Sequence, residues 1–253
     1  MGFPFSPSFP PRRPVSSEPP SGVSSPAPKP RGRSPGPFKL ALFDLDGTLT
    51  RERSAWEYIH RRLGLWEDHA EKFQEAFLRG EIPYRRFCEL DARVWKGLKV
   101  SEVERILREV PLYGGIDELV ATLRSRGIRL GIISSGLSLL SDWVRERYGF
   151  DYAVANELGV TDGVLDGRIK IHVRYDRKAK WVKEAKRRFQ ARKPEVLAVG
   201  DSAGDIAMFR MAGFSIAFNA RSPRLQEVAS LSVQSTDLRD LISHLAPYLG
   251  PEA

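Results

Sequence analysis

The stretch FKLALFDLDGTLT at residues 38–50 joins an apolar run to two acids and a turn. Residues 40–43 are all apolar, which predicts a short strand buried on both faces. Asp44 and Asp46 follow, and Gly47 and Thr48 favour a turn. Parallel sheets place ligands at the carboxyl ends of their strands, and buried charge is costly without a partner. The stretch therefore predicts either a Mg²⁺ site with a nucleophilic carboxylate or an ordinary strand-to-turn boundary.

The composition sets the scale of the protein. Its 253 residues are 42% hydrophobic and 28% charged, which suits one α/β core with an insertion. The single cysteine, Cys88, excludes an intrachain disulfide and a cysteine metal cluster, and it fits a reducing, cytoplasmic location. No apolar run approaches the roughly 20 residues that span a membrane, so we expect no membrane partner.

The net charge of +8 admits two explanations. A basic protein attracts anionic substrates or nucleic acid, or it simply carries a solvated surface of Arg and Glu side chains. The basic residues are spread along the chain between acids, and no recognisable nucleic-acid motif accompanies them. We therefore expect no nucleic-acid partner, and the sequence gives no oligomeric state.

Two segments outside the core have distinct compositions. Residues 1–36 are rich in Pro and Ser without apolar periodicity, which predicts a disordered tail. Residues 51–110 repeat apolar side chains at helical intervals and contain no strand pattern. Ser54 has capping-box spacing to Glu57, and Ser101 is predicted to cap the last helix of the block. We predict that residues 51–110 form a helical cap inserted behind the first strand.

The remaining residues, 37–50 and 111–253, predict a doubly wound α/β core with a parallel sheet. Short apolar strands alternate there with helices, a pattern that implies right-handed crossovers. The Asp-Gly pairs at 162–163 and 166–167 predict hairpin turns, and a final helix is predicted at 236–249. The later strands are predicted at residues 128–133, 152–155, 196–199, 214–218 and 231–233.

Three of these strands end in small and polar residues, at 44–48, 134–136 and 200–205. If the strands are parallel, their ends converge at one edge of the sheet. One carboxylate can then attack phosphorus while a cation, a hydroxyl and loop amides hold the phosphate oxygens. A second acid can protonate the leaving oxygen and later activate water. The pattern therefore predicts phosphoryl transfer.

Four motifs in this order resemble those of haloacid dehalogenase superfamily phosphatases, and most closely the phosphoserine phosphatase branch. They are DLDGT at 44–48, IISSG at 132–136, a lysine near 178 and GDSAGD at 200–205. The segment MAGFSIAFNA at 211–220 is also typical of that branch. The resemblance covers residues 38–235 and implies a Rossmann-like core with a cap. It also implies Mg²⁺-dependent hydrolysis of a small phosphorylated metabolite through an aspartyl-phosphate.

The resemblance assigns roles residue by residue. Asp44 resembles the nucleophile, and Asp46 resembles the general acid and base whose backbone carbonyl binds Mg²⁺. Ser134 resembles the phosphate-binding hydroxyl, and the active-site lysine is Lys178 or Lys180. Asp201 and Asp205 are expected to bind the metal together with Asp44 and Asp46. The residues expected to contact the phosphate are Thr48, Ser135 and Gly136.

Two departures from the family pattern bear on the substrate. Gly204 stands where the family usually has Asn. Arg53 stands where phosphoserine phosphatases carry the Glu that binds the substrate amine, and Glu52 lies one position away. A cation at that place repels an ammonium, so we expect phosphoserine not to be the best substrate. An acidic phosphate without an amine, such as a phosphorylated sugar or organic acid, is expected to be preferred with Arg53 as a contact.

Two alternatives to hydrolysis stay open at this point. The protein can pass the phosphoryl group to an alcohol acceptor instead of water, as a phosphotransferase. It can also be a catalytically inactive, basic binding protein on the same scaffold, although both motif acids are intact.

Overall fold

The computed structural model describes residues 37–250; the predicted tail at 1–36 lies outside the described residues. Seven strands form one sheet in the order β4-β3-β2-β1-β5-β6-β7. All neighbouring pairs are parallel except β3 and β4. The strands are β1 (Leu40–Phe43), β2 (Arg129–Leu137), β3 (Tyr152–Thr161), β4 (Val164–Lys170), β5 (Val196–Gly200), β6 (Phe214–Phe218) and β7 (Leu231–Val233).

The first strand lies in the middle of the sheet, as an apolar run buried on both faces predicts. Its four residues are fully enclosed. Phe43 is in register with Ile132 of β2 on one side and with Val199 of β5 on the other. The residues that follow these three positions therefore leave the sheet side by side. This register brings the three predicted motifs to one edge.

Helices cover both faces of this sheet. Ala41 and Phe43 belong to an apolar cluster with α5 and α6, while Leu40 and Leu42 pack with α7, α8 and α9 on the other face. This division follows from the period of two along a strand. The bounds are α5 (Ile116–Arg124), α6 (Ser138–Tyr148), α7 (Ala179–Arg188), α8 (Ile206–Phe209), α9 (Pro223–Val228) and α10 (Asp240–Leu245).

The block after the first strand is helical, as predicted. It contains α1 (Ala55–Arg62), α2 (Glu71–Leu78), α3 (Tyr84–Val94) and α4 (Val100–Arg108), with a π-helical turn at Trp66–Ala70. Ser54 caps α1 by accepting a hydrogen bond from the Glu57 amide at 3.2 Å. Ser101 does not cap α4, which begins one residue earlier. There the Val100 amide donates to the Gly163 carbonyl at 3.0 Å, so pairing with the β3–β4 hairpin fixes the start of that helix.

Two further expectations were wrong in detail. Asp162 and Gly163 both have positive φ, of 50° and 77°, and make the predicted hairpin turn. Asp166 and Gly167 instead lie inside β4, where the Asp166 carboxylate accepts a hydrogen bond from the Arg168 amide at 2.8 Å. The last helix is shorter than predicted and passes into a 3₁₀ turn at Ala246–Tyr248, which contains a proline.

Within residues 37–250, none of the helices has the length and apolarity needed to cross a bilayer.

Candidate active site

The strand ends bring four charged side chains into contact. Asp44 follows β1, Asp201 and Asp205 follow β5, and Lys178 lies at the start of α7. The Lys178 ammonium is 2.7 Å from a carboxylate oxygen of Asp44 and 2.7 Å from one of Asp205. All four residues are buried. Charges are rarely buried without a partner; here Lys178 pairs with Asp44 and Asp205, and Asp201 pairs with Arg53.

The two candidate lysines occupy different environments. Lys178 is 1% exposed between the two carboxylates. Lys180 is exposed, and its ammonium lies 4.6 Å from the centre of the Trp181 ring. The geometry therefore places Lys178, and not Lys180, among the acids.

The two positive side chains of the site, Lys178 and Arg53, do not balance the negative charge of its acids. Burial, followed by the charge of Asp205, raises the pKa of Asp44 well above its usual value despite the opposing charge of Lys178. The same two causes raise the pKa of Asp201 to about 7. Burial lowers the pKa of Lys178, but the charges of Asp205 and Asp44 outweigh it and hold that pKa above its usual range. The excess negative charge is what a bound cation would neutralise.

The donor set fits a hard divalent cation. Carboxylate oxygens of Asp44, Asp201 and Asp205 all lie within 4.8 Å of one another. Oxygen-only donors are the ligands of Mg²⁺ and Ca²⁺. With Asp46 the acids number four against the two cations Lys178 and Arg53, a difference of two charges. Asp205 already accepts hydrogen bonds from Lys178 and from the backbone amides of Asp201 and Ser202, so Asp44 and Asp201 have the more available oxygens.

Asp46 is held at the junction of the sheet edge and the cap. One of its oxygens accepts a hydrogen bond from the Ala55 amide of α1 at 2.9 Å. The other lies 3.4 Å from the Ser134 hydroxyl, which donates to it. Burial raises the pKa of Asp46 to about 6, and the bond to Ala55 only partly opposes that shift. A carboxyl group with such a pKa can exchange a proton near neutral pH.

The segment Ser134–Gly136, which lies inside β2 where the pairing with β3 shifts register, is fixed by two residues that sequence reasoning missed. The Tyr84 hydroxyl donates to the Ser135 carbonyl at 2.5 Å, and the Asn156 side-chain amide donates to the same oxygen at 2.9 Å. The Asn156 carbonyl oxygen also accepts from the His172 and Val173 amides. A polar residue directly after the apolar run at 152–155 was the available signal for Asn156; nothing in the sequence singled out Tyr84.

Arg53 reaches the sheet edge but is already paired. Its guanidinium donates to Asp201 at 2.6 Å and to the Asn219 carbonyl at 2.7 Å. Gly47 makes room for this arrangement, because its φ is +78° and a Cβ there would collide with the Asp201 carboxylate. Thr48 is fully buried, does not line the cavity, and its hydroxyl has no hydrogen-bond partner within residues 37–250.

A cavity of about 350 Å³ lies between the sheet edge and the cap. Its floor contains Asp44, Asp46 and Asp201 with Ser135 and Gly136 of β2. The cap and the segment before α7 supply apolar walls, so the acids lie beneath a largely hydrophobic chamber. The wall residues include Trp56, Phe77, Leu78, Tyr84, Phe87 and Tyr175.

Sterics explain why Gly204 stands in the fourth motif in place of a larger residue. A Cβ on Gly204 would lie 2.8 Å from the Tyr175 carbonyl and 2.9 Å from its ring. Real Cβ atoms do not approach other atoms so closely, so any larger residue would displace Tyr175. The aromatic ring therefore occupies the space beside the position where the family usually has an amide side chain.

Comparison with known proteins agrees with this geometry. A family model described as haloacid dehalogenase-like hydrolase matches residues 41–210. A phosphoserine phosphatase of Archaeoglobus fulgidus is 37% identical over 82% of the chain, which spans 60% of that protein's length. A phosphoserine phosphatase of Methanocaldococcus jannaschii is 30% identical over 82% of the chain and 97% of its own length.

Solved structures give the same result. A phosphoserine phosphatase with an analogue of the phospho-aspartyl intermediate is 29% identical and superimposes with a TM-score of 0.72. The match covers 85% of this chain and the whole of that one. A substrate-bound phosphoserine phosphatase also gives a TM-score of 0.72, at 28% identity, over 84% of this chain and 99% of its own.

Proposed function

Because the chain belongs to the haloacid dehalogenase-like hydrolase family, we propose that it hydrolyses small phosphomonoesters through an aspartyl-phosphate on Asp44. The observation that carries the proposal is the convergence of Asp44, Asp46, Lys178 and Asp201 at one sheet edge, beneath the cavity that the cap covers. We also propose that residues 37–50 and 111–253 act as the catalytic core and residues 51–110 as the cap.

In the first step a carboxylate oxygen of Asp44 attacks phosphorus, and the bond from phosphorus to the ester oxygen breaks. The ammonium of Lys178, 2.7 Å from Asp44, orients the nucleophile and offsets charge on the phosphoryl oxygens. The Ser134 hydroxyl, turned from Asp46 toward the substrate, holds those oxygens together with the amides of Ser135 and Gly136. Thr48 supports the turn that carries Asp46.

Asp46 moves the proton in both steps. Its carboxyl group, with a pKa of about 6, gives its proton to the departing ester oxygen. It then takes a proton from the water that attacks the aspartyl-phosphate, and Asp44 is released unchanged. The hydrogen bond from the Ala55 amide fixes the direction of the Asp46 carboxyl group.

Mg²⁺ is the cation we propose for the site, held by Asp44, Asp201 and the backbone carbonyl of Asp46, with Asp205 as a further or water-mediated ligand. When bound, it supplies positive charge against the phosphate oxygens. The two-charge deficit of the acid cluster and its oxygen-only donors support this choice. A cytoplasmic location, where Mg²⁺ and phosphorylated metabolites are both abundant, completes the proposal.

Phosphoserine is not the substrate we expect to be preferred. The relatives' names make it the first compound to test, but Arg53 lies at the rim of the cavity and an amine has no free acid beside it. Glu57, the other charged cap residue that lines the cavity, pairs with Arg61 at 2.8 Å. The pairing of Arg53 with Asp201 also weakens the case for a substrate with a second acidic group.

Hydrolysis of p-nitrophenyl phosphate with and without Mg²⁺ tests the proposal. We expect turnover that needs Mg²⁺ and releases inorganic phosphate. No turnover at any metal concentration would favour an inactive binding protein. Phosphate appearing on an added alcohol in preference to water would show a phosphotransferase. A panel of phosphorylated sugars, organic acids and phosphoserine then ranks the physiological candidates by kcat/KM.

A further inference from the structure

The cap wall of the cavity is an aromatic cluster centred on Phe77. The Phe77 ring stacks on Phe87 with centroids 5.3 Å apart and planes 17° apart. It meets Tyr84 and Tyr175 edge-on at 5.7 and 6.2 Å. Phe77 is only partly buried and lines the cavity. Its packing orients the ring, while part of its surface remains available to a ligand.

The apolar side of α2, the helix that carries Phe77, is only partly buried. None of the eight residues of α2 is fully buried, although the helix contains Phe73, Phe77 and Leu78. Leu78 is 72% exposed and also lines the cavity. A contiguous apolar surface left open in a folded protein marks a binding site more often than chance exposure does. Here the open surface faces the reacting acids.

The charged groups of this wall and the Tyr84 hydroxyl already have partners, although Gln74 of α2 also lines the wall. The Tyr84 hydroxyl is engaged by the Ser135 carbonyl and by Asn156, so the residue offers its ring. Arg53 is paired with Asp201, and Glu57 with Arg61. A charged leaving group in this space would lose hydration without gaining a free partner of opposite charge, whereas an apolar one would gain from burial.

We propose that the substrate is the monophosphate ester of an apolar, ring-bearing alcohol, whose ring packs against Phe77 and Leu78. This inference rests on the proposed phosphomonoesterase activity and names its substrate class. The cavity, at about 350 Å³, is near the lower limit for small-molecule sites, which suits a phosphate and a single ring. Aromatic rings favour the offset and edge-on contacts that Phe77 and Tyr175 present.

Two esters whose leaving groups have nearly equal acidity test whether a ring on the alcohol improves the substrate. We would compare kcat/KM for 3-phenylpropyl phosphate with that for propyl phosphate, and measure phosphoserine as the polar reference. Burial of the phenyl ring should favour the first ester by about tenfold or more. Equal rates for the two alkyl esters, or a preference for phosphoserine, would overturn the inference while leaving the hydrolase in place.

Matched variants show which residues cause the preference for 3-phenylpropyl phosphate over propyl phosphate. Phe77→Ala should reduce the ratio of the two kcat/KM values by about fivefold or more. Phe73→Ala, on the same helix but outside the cavity lining, should leave the ratio unchanged. Leu78→Ser provides a second variant that cannot lose a packed core, because Leu78 is 72% exposed; we expect a drop of about twofold.

The outcomes separate the two proposals. If Phe77→Ala and Leu78→Ser both keep the full ratio, the ring binds elsewhere and the assignment of the wall is wrong. If Phe73→Ala lowers the ratio as much as Phe77→Ala, the effect is structural and the assignment is also wrong. If no ester, including p-nitrophenyl phosphate, is hydrolysed with Mg²⁺, the proposed function itself is overturned.

Discussion

The sheet edge and the cap wall enclose one cavity with opposite physical characters. At the edge, Lys178 and Asp205 are at most 1% exposed and are engaged in short ion pairs. On the wall, Phe77 is partly open and Leu78 is 72% exposed. The edge is a pre-organised charge cluster, which suits a reaction that develops charge at phosphorus. The wall is an uncovered apolar surface, which suits selection of a leaving group.

Several hydrogen bonds join these regions, and two of them involve the groups proposed to act on the ester. Asp46 accepts from the first helical amide of the cap, and Tyr84 of the cap donates to the Ser135 carbonyl. Through these contacts the position of the cap can affect Asp46 and the Ser134–Gly136 segment of β2 together. Variants at the edge, at the junction and on the outer surface should therefore have effects of decreasing size.

Asp44→Asn should have the largest effect and abolish turnover, because an amide does not attack phosphorus. The fold should survive, because Asn has the same size as Asp. Burial also raises the pKa of Asp44, so the charged carboxylate that the substitution removes is itself disfavoured in the fold. Steady-state phosphate release and a thermal melt measure both points. Near wild-type activity in the purified variant would exclude Asp44 as the nucleophile.

Lys178→Met should lower kcat/KM by roughly 10²–10³-fold, the typical effect of removing one group that stabilises transition-state charge. It should also destabilise the fold by about 3–5 kcal/mol, because Asp44 and Asp205 would be left buried without their cation. Urea unfolding without added metal measures the second effect. A variant as stable and active as wild type would show that the ion pairs are not formed in solution.

Asp46→Asn should slow hydrolysis of an alkyl phosphate by roughly 10²-fold or more. The wild-type enzyme needs Asp46 protonated for the first step, so kcat/KM should fall above the pKa of about 6. The variant has no proton to lose at this position, and its profile should lack that decline. An alkyl ester is needed, because p-nitrophenolate leaves without protonation. Wild-type rates with the alkyl ester would remove the acid and base role.

The core could be predicted from sequence because its patterns are local. The run at 40–43 is apolar at every position, and three strands end in small and polar residues that the parallel register then brings together. The sequence did not separate Lys178 from Lys180, since both precede the same apolar pair. Burial of one between two carboxylates depends on where α7 begins relative to the sheet.

The cap wall was less accessible to prediction for a physical reason. Aromatic side chains at helical spacing look alike whether they pack inside the cap or face the cavity. Trp95 is fully buried and lies outside the cavity lining, whereas Phe77 lines the cavity, and only tertiary packing distinguishes them. The pattern around Arg53 predicts a substrate contact, but no local pattern predicts that Asp201 and Asn219, far along the chain, accept its hydrogen bonds.

Tyr84→Phe should act at the junction and lower kcat/KM by roughly three- to tenfold. It removes the hydroxyl that holds the Ser135 carbonyl, a net effect of about 1 kcal/mol, while Asn156 still donates to that oxygen. Affinity for inorganic phosphate, measured as product inhibition, should weaken in parallel. Tyr58→Phe is the control, since that hydroxyl donates to the Glu109 carbonyl away from the cavity. Equal effects of both variants would mean that the Tyr84 bond only stabilises the cap.

Lys180→Met should change kcat/KM by less than about twofold, although it makes the same chemical replacement as Lys178→Met. Lys180 is exposed, and its ammonium contacts the Trp181 ring, an interaction worth about 0.5–1 kcal/mol at exposed sites. Its loss should therefore appear as a small drop in Tm and not in the reaction. The pair of variants, assayed side by side with the same alkyl phosphate, separates a charge at the sheet edge from one on the surface. A loss of activity in Lys180→Met comparable to that in Lys178→Met would show that the start of α7 is shifted in solution and that the wrong lysine has been placed between the acids.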